Sequence, residues 1–412
     1  MASDPGPVHL AVGGVPVDRR DGRSSRFGRI VELSDSPWVP AGIVALACTA
    51  FVLARLVGAA HGNISAFALV GTLFADHAQV PHGLVVSPGS GYDGQFYYRM
   101  ALDPWNLTPH AYGITIDSPL RLQRIGYPLL VWLVSLGNVR VVPYALVVVN
   151  VVAMGCAGLF SGQWARSLGR HAFWGILPAG YFGLVWSVGR DLTEPTAIAL
   201  TIGGIVAYRR RRPWLAASAF TGAVLCRETA LLVVVALLVT RCIEFVRREG
   251  SPGREDGQWA MPLLVLAAWE IYCDARYGSV PLVSGSGNAG APFVALVRAL
   301  SSWVEHPHRA EVLQLVQTVA LALVIVLAVW HIRRTRSSRF EQLAFIFAVV
   351  LVVCLSSSVW DNDPNEFRTM TEAFVLGAGI LLGSARIRPV VAATAVTWAV
   401  WLVVGLNQVI HL

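Results

Sequence analysis

The segment Gly91-Tyr92-Asp93-Gly94-Gln95-Phe96-Tyr97-Tyr98 sets one carboxylate between glycine and aromatic residues, just past the first apolar run long enough to cross a bilayer. A carboxylate held this way at a membrane surface is poor structural glue. Asp93 is a candidate general base for chemistry on a lipid-linked substrate. Asp-Gly also marks turns, so the bland alternative for Asp93 is a cap or turn residue. Tyr92, Phe96, Tyr97 and Tyr98 suit an interfacial aromatic belt and equally a platform for a sugar ring or a prenyl chain. Gln95 completes the motif.

Further ionisable residues recur at the edges of apolar runs. Arg121 and Arg124 precede Ile-Gly-Tyr-Pro. Arg190, Asp191 and Glu194 lie together in Gly189-Arg-Asp-Leu-Thr-Glu-Pro. Arg227 and Glu228 interrupt residues 213–243, a stretch too long for one span and long enough for two short ones. Ionisable groups at membrane depth are costly and face a cavity or each other. The pair 227–228 is therefore either a salt bridge tying two helix ends or the place where Arg227 grips an anion, for which a planar guanidinium suits a phosphate. Asp191 and Glu194 read first as caps of the helix starting near Pro195. An acidic segment, Asp361 to Glu366, reads as a solvated loop and leads to Arg368, a phosphate candidate at a helix start.

The elements that must position these groups follow from composition. Of 412 residues, 55% are hydrophobic and 14% charged, with a mean hydropathy of +0.57. Soluble domains are about 25% charged, so the chain reads as an all-α polytopic membrane protein. Its formal charge of +7 does not point to nucleic acid: every basic residue is Arg, mostly clustered in short loops. Apolar runs fall at about 39–60, 143–163, 172–189, 193–208, 213–226, 228–243, 259–273, 313–331, 341–358, 368–383 and 389–407. The run 125–137 is too short for a hydrocarbon core of about 30 Å. Taken as interfacial, it leaves about 11 transmembrane helices and puts 21 Arg on the N-terminal side, 10 on the other and Arg55 within the first span. That obeys the positive-inside rule, with a cytoplasmic N-terminus and an extracytoplasmic C-terminus. If 125–137 crossed, the arginines at 209–212 and 333–339 would lie outside.

The expected organisation is a disordered cytoplasmic tail (1–37) and one transmembrane domain (38–412). Two extracytoplasmic loops interrupt it. The first (61–142) holds interfacial helices and an amphipathic stretch from Ile64 to Phe74. The second (274–312) ends in an amphipathic helix near 292–304. The pairs Gly158/Gly162 and Gly379/Gly383 read as helix-packing contacts. The six cysteines form no CxxC pair and read as small buried hydrophobes. No histidine spacing is typical of zinc.

This layout resembles the GT-C superfamily of integral membrane glycosyltransferases, nearest to bacterial proteins of cell-surface glycopolymer formation with a similar Tyr-Asp-Gly-Gln-Phe-Tyr-Tyr segment. The resemblance rests on Tyr92 to Tyr98, Arg124 to Leu130, Arg190 to Glu194, Arg227 to Thr229, and Glu366 to Arg368. It implies a plasma-membrane enzyme that moves a sugar from a polyprenyl-phosphate carrier to a glycan, lipid or protein acceptor outside the cell. Asp93 matches the acceptor-activating acid. Arg124, Arg190, Arg227 and Arg368 are the candidates for the lipid phosphate. Tyr92, Gln95, Tyr97, Tyr98, Asp191, Glu194, Glu228 and Glu366 would support them. The paired acid expected in that loop is here a single Asp followed by Gly-Gln, so no cofactor is assigned and a divalent metal stays open. Two competing classes are a transporter or flippase for a lipid-linked or anionic solute, and a non-catalytic assembly protein of a cell-wall machine.

Overall fold

The computed structural model describes residues 35–248, 254–360 and 364–411. All but the last three residues of the expected tail lie outside the described residues. The structure is a bundle of α-helices: α1 (Trp38–Val57), α2 (Gly94–Leu102), α3 (Gly126–Ser135), α4 (Val142–Ser167), α5 (Phe182–Val188), α6 (Glu194–Arg209), α7 (Pro213–Cys226), α8 (Leu231–Val246), α9 (Met261–Tyr277), α10 (Val294–Glu305), α11 (Arg309–His331), α12 (Arg339–Val353), α13 (Thr371–Leu382) and α14 (Arg388–Ile410). Among the described residues, five helical stretches are long and apolar enough to cross a membrane: Trp38–Val57, Val142–Ser167, Glu228–Val246, Arg309–Arg334 and Arg388–Ile410. The chain is a helical, membrane-embedded protein.

Small residues let the helices close on one another. Backbone atoms of Pro40 and Ala41 in α1 lie where a Cβ on Gly158 of α4 would stand, at 2.7 and 2.9 Å. Gly379 of α13 leaves room for the Trp164 ring, and Gly383 for Thr335. Both glycine pairs are thus packing contacts, as their spacing suggests.

The bundle has two chemically distinct ends. At one, Arg209 at the close of α6 grips Glu341 at the start of α12, with Nε and Nη2 each 2.8 Å from a carboxylate oxygen. Trp164 Nε1 donates to the same carboxylate at 3.0 Å. Glu341 also accepts from the Ser338 backbone at 2.6 Å, closing a capping box. At the same end Arg170 donates to the carbonyls of Leu382, Ser384 and Arg386. The starts of α6 and α13 and the vertex between α7 and α8 meet at the other end.

Three features depart from the sequence reading. Residues 172–189 form no continuous helix. They break into a 3-10 turn (Ala172–Gly175), a one-turn helix (Ile176–Ala179) and α5. Nearly all of this stretch is buried, and a broken pass is tolerated where protein surrounds it. The stretch from Ile64 to Phe74 is a 3-10 turn (Ile64–Ala68) that ends at Leu69 in the left-handed conformation (φ 47) and runs into a strand. That strand, β1 (Val70–Gly71), pairs in parallel with β2 (Val86–Ser87), and β3 (His110–Ala111) pairs antiparallel with β4 (Ile114–Thr115). The first long loop therefore has a small β framework that an all-α expectation omits.

The short run after it forms α3, ten residues or about 15 Å long. Tyr127 at its start donates from its hydroxyl to the Leu146 carbonyl at 2.9 Å and accepts from Asn150 at 3.0 Å. The start of α3 thus lies one to two turns into α4. Its close at Leu136 and Gly137 comes back to where α4 begins. The helix therefore packs along the first turns of α4. In the second loop, α10 matches the expected amphipathic helix, burying Ala295, Ala299 and Trp303 and exposing Val294, Val297 and Val304.

Candidate active site

Tight bends of the chain bring the candidate residues to one place because glycine permits it. Gly94 opens α2 directly beneath the Arg190 carbonyl, and a Cβ there would overlap that oxygen and lie 2.9 Å from the Ala68 carbonyl. Gly91 holds φ +63 against Leu69 and Gly71. Gly126 lets α3 start against the Cys226 backbone, 2.8 Å from where its Cβ would be. These contacts join the Asp93 turn, the α5–α6 junction and the α7–α8 vertex.

What results is a chain of alternating charges. Glu228 takes both Nε (2.9 Å) and Nη2 (2.5 Å) of Arg124. Arg124 Nη1 donates to the Tyr97 hydroxyl at 3.1 Å and lies 3.7 Å from Asp93. Asp93 Oδ2 accepts from Arg368 at 2.7 Å and pairs with Arg121 at 3.0 Å. Arg368 reaches on to Glu194 Oε1 at 2.9 Å. That oxygen also holds Arg227, which lies 3.8 Å from Glu372 and donates to Thr229 at 3.1 Å. Thr229 donates in turn to Glu372. Residues from five separate segments take part, so the site exists only in the folded bundle.

Burial is deep except at one edge. Asp93, Arg368, Glu194, Arg227 and Glu372 are all buried. The side chains of Arg121, Asp117 and Glu228 keep 19–22% of their surface exposed and form the rim. Buried ion pairs are weak devices for stability, since desolvation offsets much of the attraction. So many in one place need another reason. Burial alone pushes the Asp93 carboxyl up, but the guanidiniums of Arg121, Arg368 and Arg124 pull it further down, below the usual carboxylate range. Asp93 is ionised here and a weak base until something draws the arginines away.

The expected residues fall into distinct roles. Asp93 is the N-cap of α2 by position, yet its side chain makes no capping bond; it serves the ionic chain. Arg227 and Glu228 do not pair with each other. Each ties to a different helix, so the simple salt bridge across the hairpin vertex does not form. Glu194 lies at the start of α6 and Thr193 holds the cap position, so neither Glu194 nor Asp191 caps that helix. Glu194 binds two arginines instead. Asp191, with φ 51 and fully buried, has no hydrogen-bond partner for either carboxylate oxygen among the described residues. Burial pushes its carboxyl well up, and Arg55 draws it only partly back.

Arg190 stands apart from the ionic chain, donating to Gln408 and lying 3.7 Å over the Trp186 ring. Tyr92 bridges the two regions, with Arg190 5.7 Å and Arg368 5.0 Å from its ring centroid. Gln95 faces away: its amide spans Gly71 N (3.1 Å) and Ser90 O (2.9 Å) and clamps the loop around β1. Tyr98 is buried in the apolar cluster under α2. Glu366 lies on the 3-10 turn Pro364–Met370 that leads to Arg368, and residues 361–363 of the expected acidic loop lie outside the described residues. Glu372 and its link to Thr229 were not singled out from sequence, and Arg121 was noted there without a role. Arg121 stands three residues before Arg124, and Glu372 four after Arg368; that helical spacing was the available signal.

Among the described residues, no three His, Cys, Asp or Glu side chains converge as metal ligands. The carboxylates of the site do not fit a divalent cation, because each has a guanidinium within 4 Å. Comparison with protein-family models, curated proteins and solved structures returned no match.

Proposed function

We propose that this chain is a membrane glycosyltransferase that passes a sugar from a polyprenyl-phosphate donor to an extracytoplasmic acceptor, with the ionic chain as its active centre. One observation carries the proposal: three buried or rim arginines, Arg121, Arg124 and Arg368, converge on the Asp93 carboxylate at one end of the bundle, opposite the arginine-rich loops. The bundle is then read as eleven passes with a cytoplasmic N-terminus. The opposed positions of Glu194 and Arg209, at the two ends of α6, support that reading.

The chemistry follows from exchange of partners. The donor's phosphate offers oxygens that compete with Asp93 and Glu194 for Arg368, Arg227 and Arg124. As the guanidiniums turn to phosphate, Asp93 loses the charges that weaken it as a base. It then takes the proton of the acceptor hydroxyl. The acceptor oxygen bonds to the anomeric carbon, the bond from that carbon to the phosphate oxygen breaks, and the electron pair leaves with the lipid phosphate. Arginine charge stabilises the departing dianion. A single direct displacement inverts the anomeric configuration.

Binding of a short-chain prenyl phosphate to the purified protein tests this site. Wild type and Asp93→Asn should bind it, and Arg368→Gln should bind it at least tenfold more weakly. Equal binding by Arg368→Gln, in a protein shown to be folded, would remove the phosphate from this site.

A further inference from the structure

A second site lies at the other end of the bundle, where α6 turns into α7. A cleft of about 360 Å³ opens between α4, α6 and α7, a volume within the ~300–1,000 Å³ of pockets that hold organic ligands. Phe160, Val206 and Leu215 supply apolar walls. Gly203 widens the cleft, since a Cβ there would stand 3.1 Å from the Phe160 ring. Two polar side chains, Gln163 and Ser218, also line it, and neither has a hydrogen-bond partner among the described residues. At the mouth are Arg210 and Arg212, both exposed. Their neighbour Arg209 is tied to Glu341, but among the described residues neither Arg210 nor Arg212 lies within ion-pair distance of a carboxylate. Trp214, 65% exposed, stands beside them in the manner of an interfacial anchor.

An apolar slot lined by two idle hydrogen-bonding groups, with two uncompensated cations at its mouth, matches an acyl chain, its glycerol ester and a phosphate. We infer that the cleft binds one anionic phospholipid from the leaflet facing the arginine-rich end, with an acyl chain beneath Gly203 and the headgroup phosphate on Arg210 and Arg212. The site is separate from the proposed transfer centre at the opposite end of α6. Its occupancy does not depend on what that centre does.

Native mass spectrometry of the full chain in detergent, titrated with phosphatidylglycerol or phosphatidylcholine of identical acyl chains, tests the site. Each arginine near an anionic surface is worth about fivefold in binding. Wild type should retain phosphatidylglycerol over phosphatidylcholine, and R210Q/R212Q should bind it roughly 25-fold more weakly. The control R333Q/R334Q removes two exposed arginines at the same end and should leave retention unchanged. Ser218→Phe, at an exposed position that fills the cleft, should weaken both lipids. Equal retention of the two lipids by wild type would overturn the headgroup assignment. An equal loss in the R333Q/R334Q control would reduce the effect to general charge. Undiminished retention in Ser218→Phe would place the chain outside the cleft.

Discussion

Replacing Asp93 by Asn separates a catalytic carboxylate from a structural one. The substitution keeps the shape and one accepting oxygen but removes the charge. Each guanidinium on Asp93 has a second carboxylate: Asp117 for Arg121, Glu228 for Arg124 and Glu194 for Arg368. No arginine is stranded, so the ~3–5 kcal/mol cost of orphaning a buried charge does not apply. The loss is instead about 2 kcal/mol, that of one charge-assisted hydrogen bond. Turnover should fall by about 10²–10⁴, the usual contribution of a positioned base, while donor binding survives. The pH dependence sharpens the test. A carboxylate whose folded-state pKa is depressed is ionised in both folded and unfolded chains above the ordinary value of about 4. Its stabilising effect is complete there and is lost only as pH falls through the lower folded value. For wild type, kcat/KM should therefore show no acid limb from Asp93 above about pH 4. The acid limb of kcat should lie higher, because bound phosphate draws the arginines off. Turnover by Asp93→Asn within threefold of wild type, measured on folded protein, would refute the assignment of Asp93 as base.

Three further outcomes follow from the same geometry. Arg227→Gln leaves Glu372 buried with only Thr229 beside it and should cost about 3–5 kcal/mol, against about 1 kcal/mol for Arg121→Gln at the half-wet rim; detergent thermal unfolding measures both. Gly94→Ala forces a methyl into the Arg190 carbonyl and should cost about 1–3 kcal/mol, with loss of turnover exceeding the fraction unfolded; a thermal transition unchanged from wild type would show that the turn relaxes freely. In a cysteine-free background, an impermeant thiol reagent outside the cell should label Asp117→Cys and not Arg210→Cys, and the reverse pattern would invert the bundle.

How much of this was legible in the sequence depends on what each residue needed. Helix-edge arginines and acids stand out because charge is costly among apolar neighbours, so Asp93, Arg124, Glu194, Arg227, Glu228 and Arg368 could be picked without knowing their partners. The short length of α3, ten residues, was legible in the run 125–137. Pairing was not legible: Arg124 meets Glu228 across 104 residues, and Arg227 chooses Glu194 over its own neighbour. Glu372 stands inside the run 368–383, behind Arg368, which alone drew notice there. Gln95 and Tyr98 share a motif with Asp93, yet the turn of α2 sends them to the loop clamp and the core. The broken pass at 172–189 is as apolar as an ordinary span, and it breaks where Gly180 meets the Trp398 ring and the Tyr181 hydroxyl donates to the Phe367 carbonyl.

The most direct measurement is incubation of the purified protein with a panel of polyprenyl-phosphate sugars and candidate acceptors, following release of the free lipid phosphate. Acceptor-dependent release with at least one donor, abolished in Asp93→Asn but with donor binding intact, is the expected result. No release from any donor, together with movement of the intact lipid-linked sugar across proteoliposome membranes, would contradict a transferase and identify a carrier.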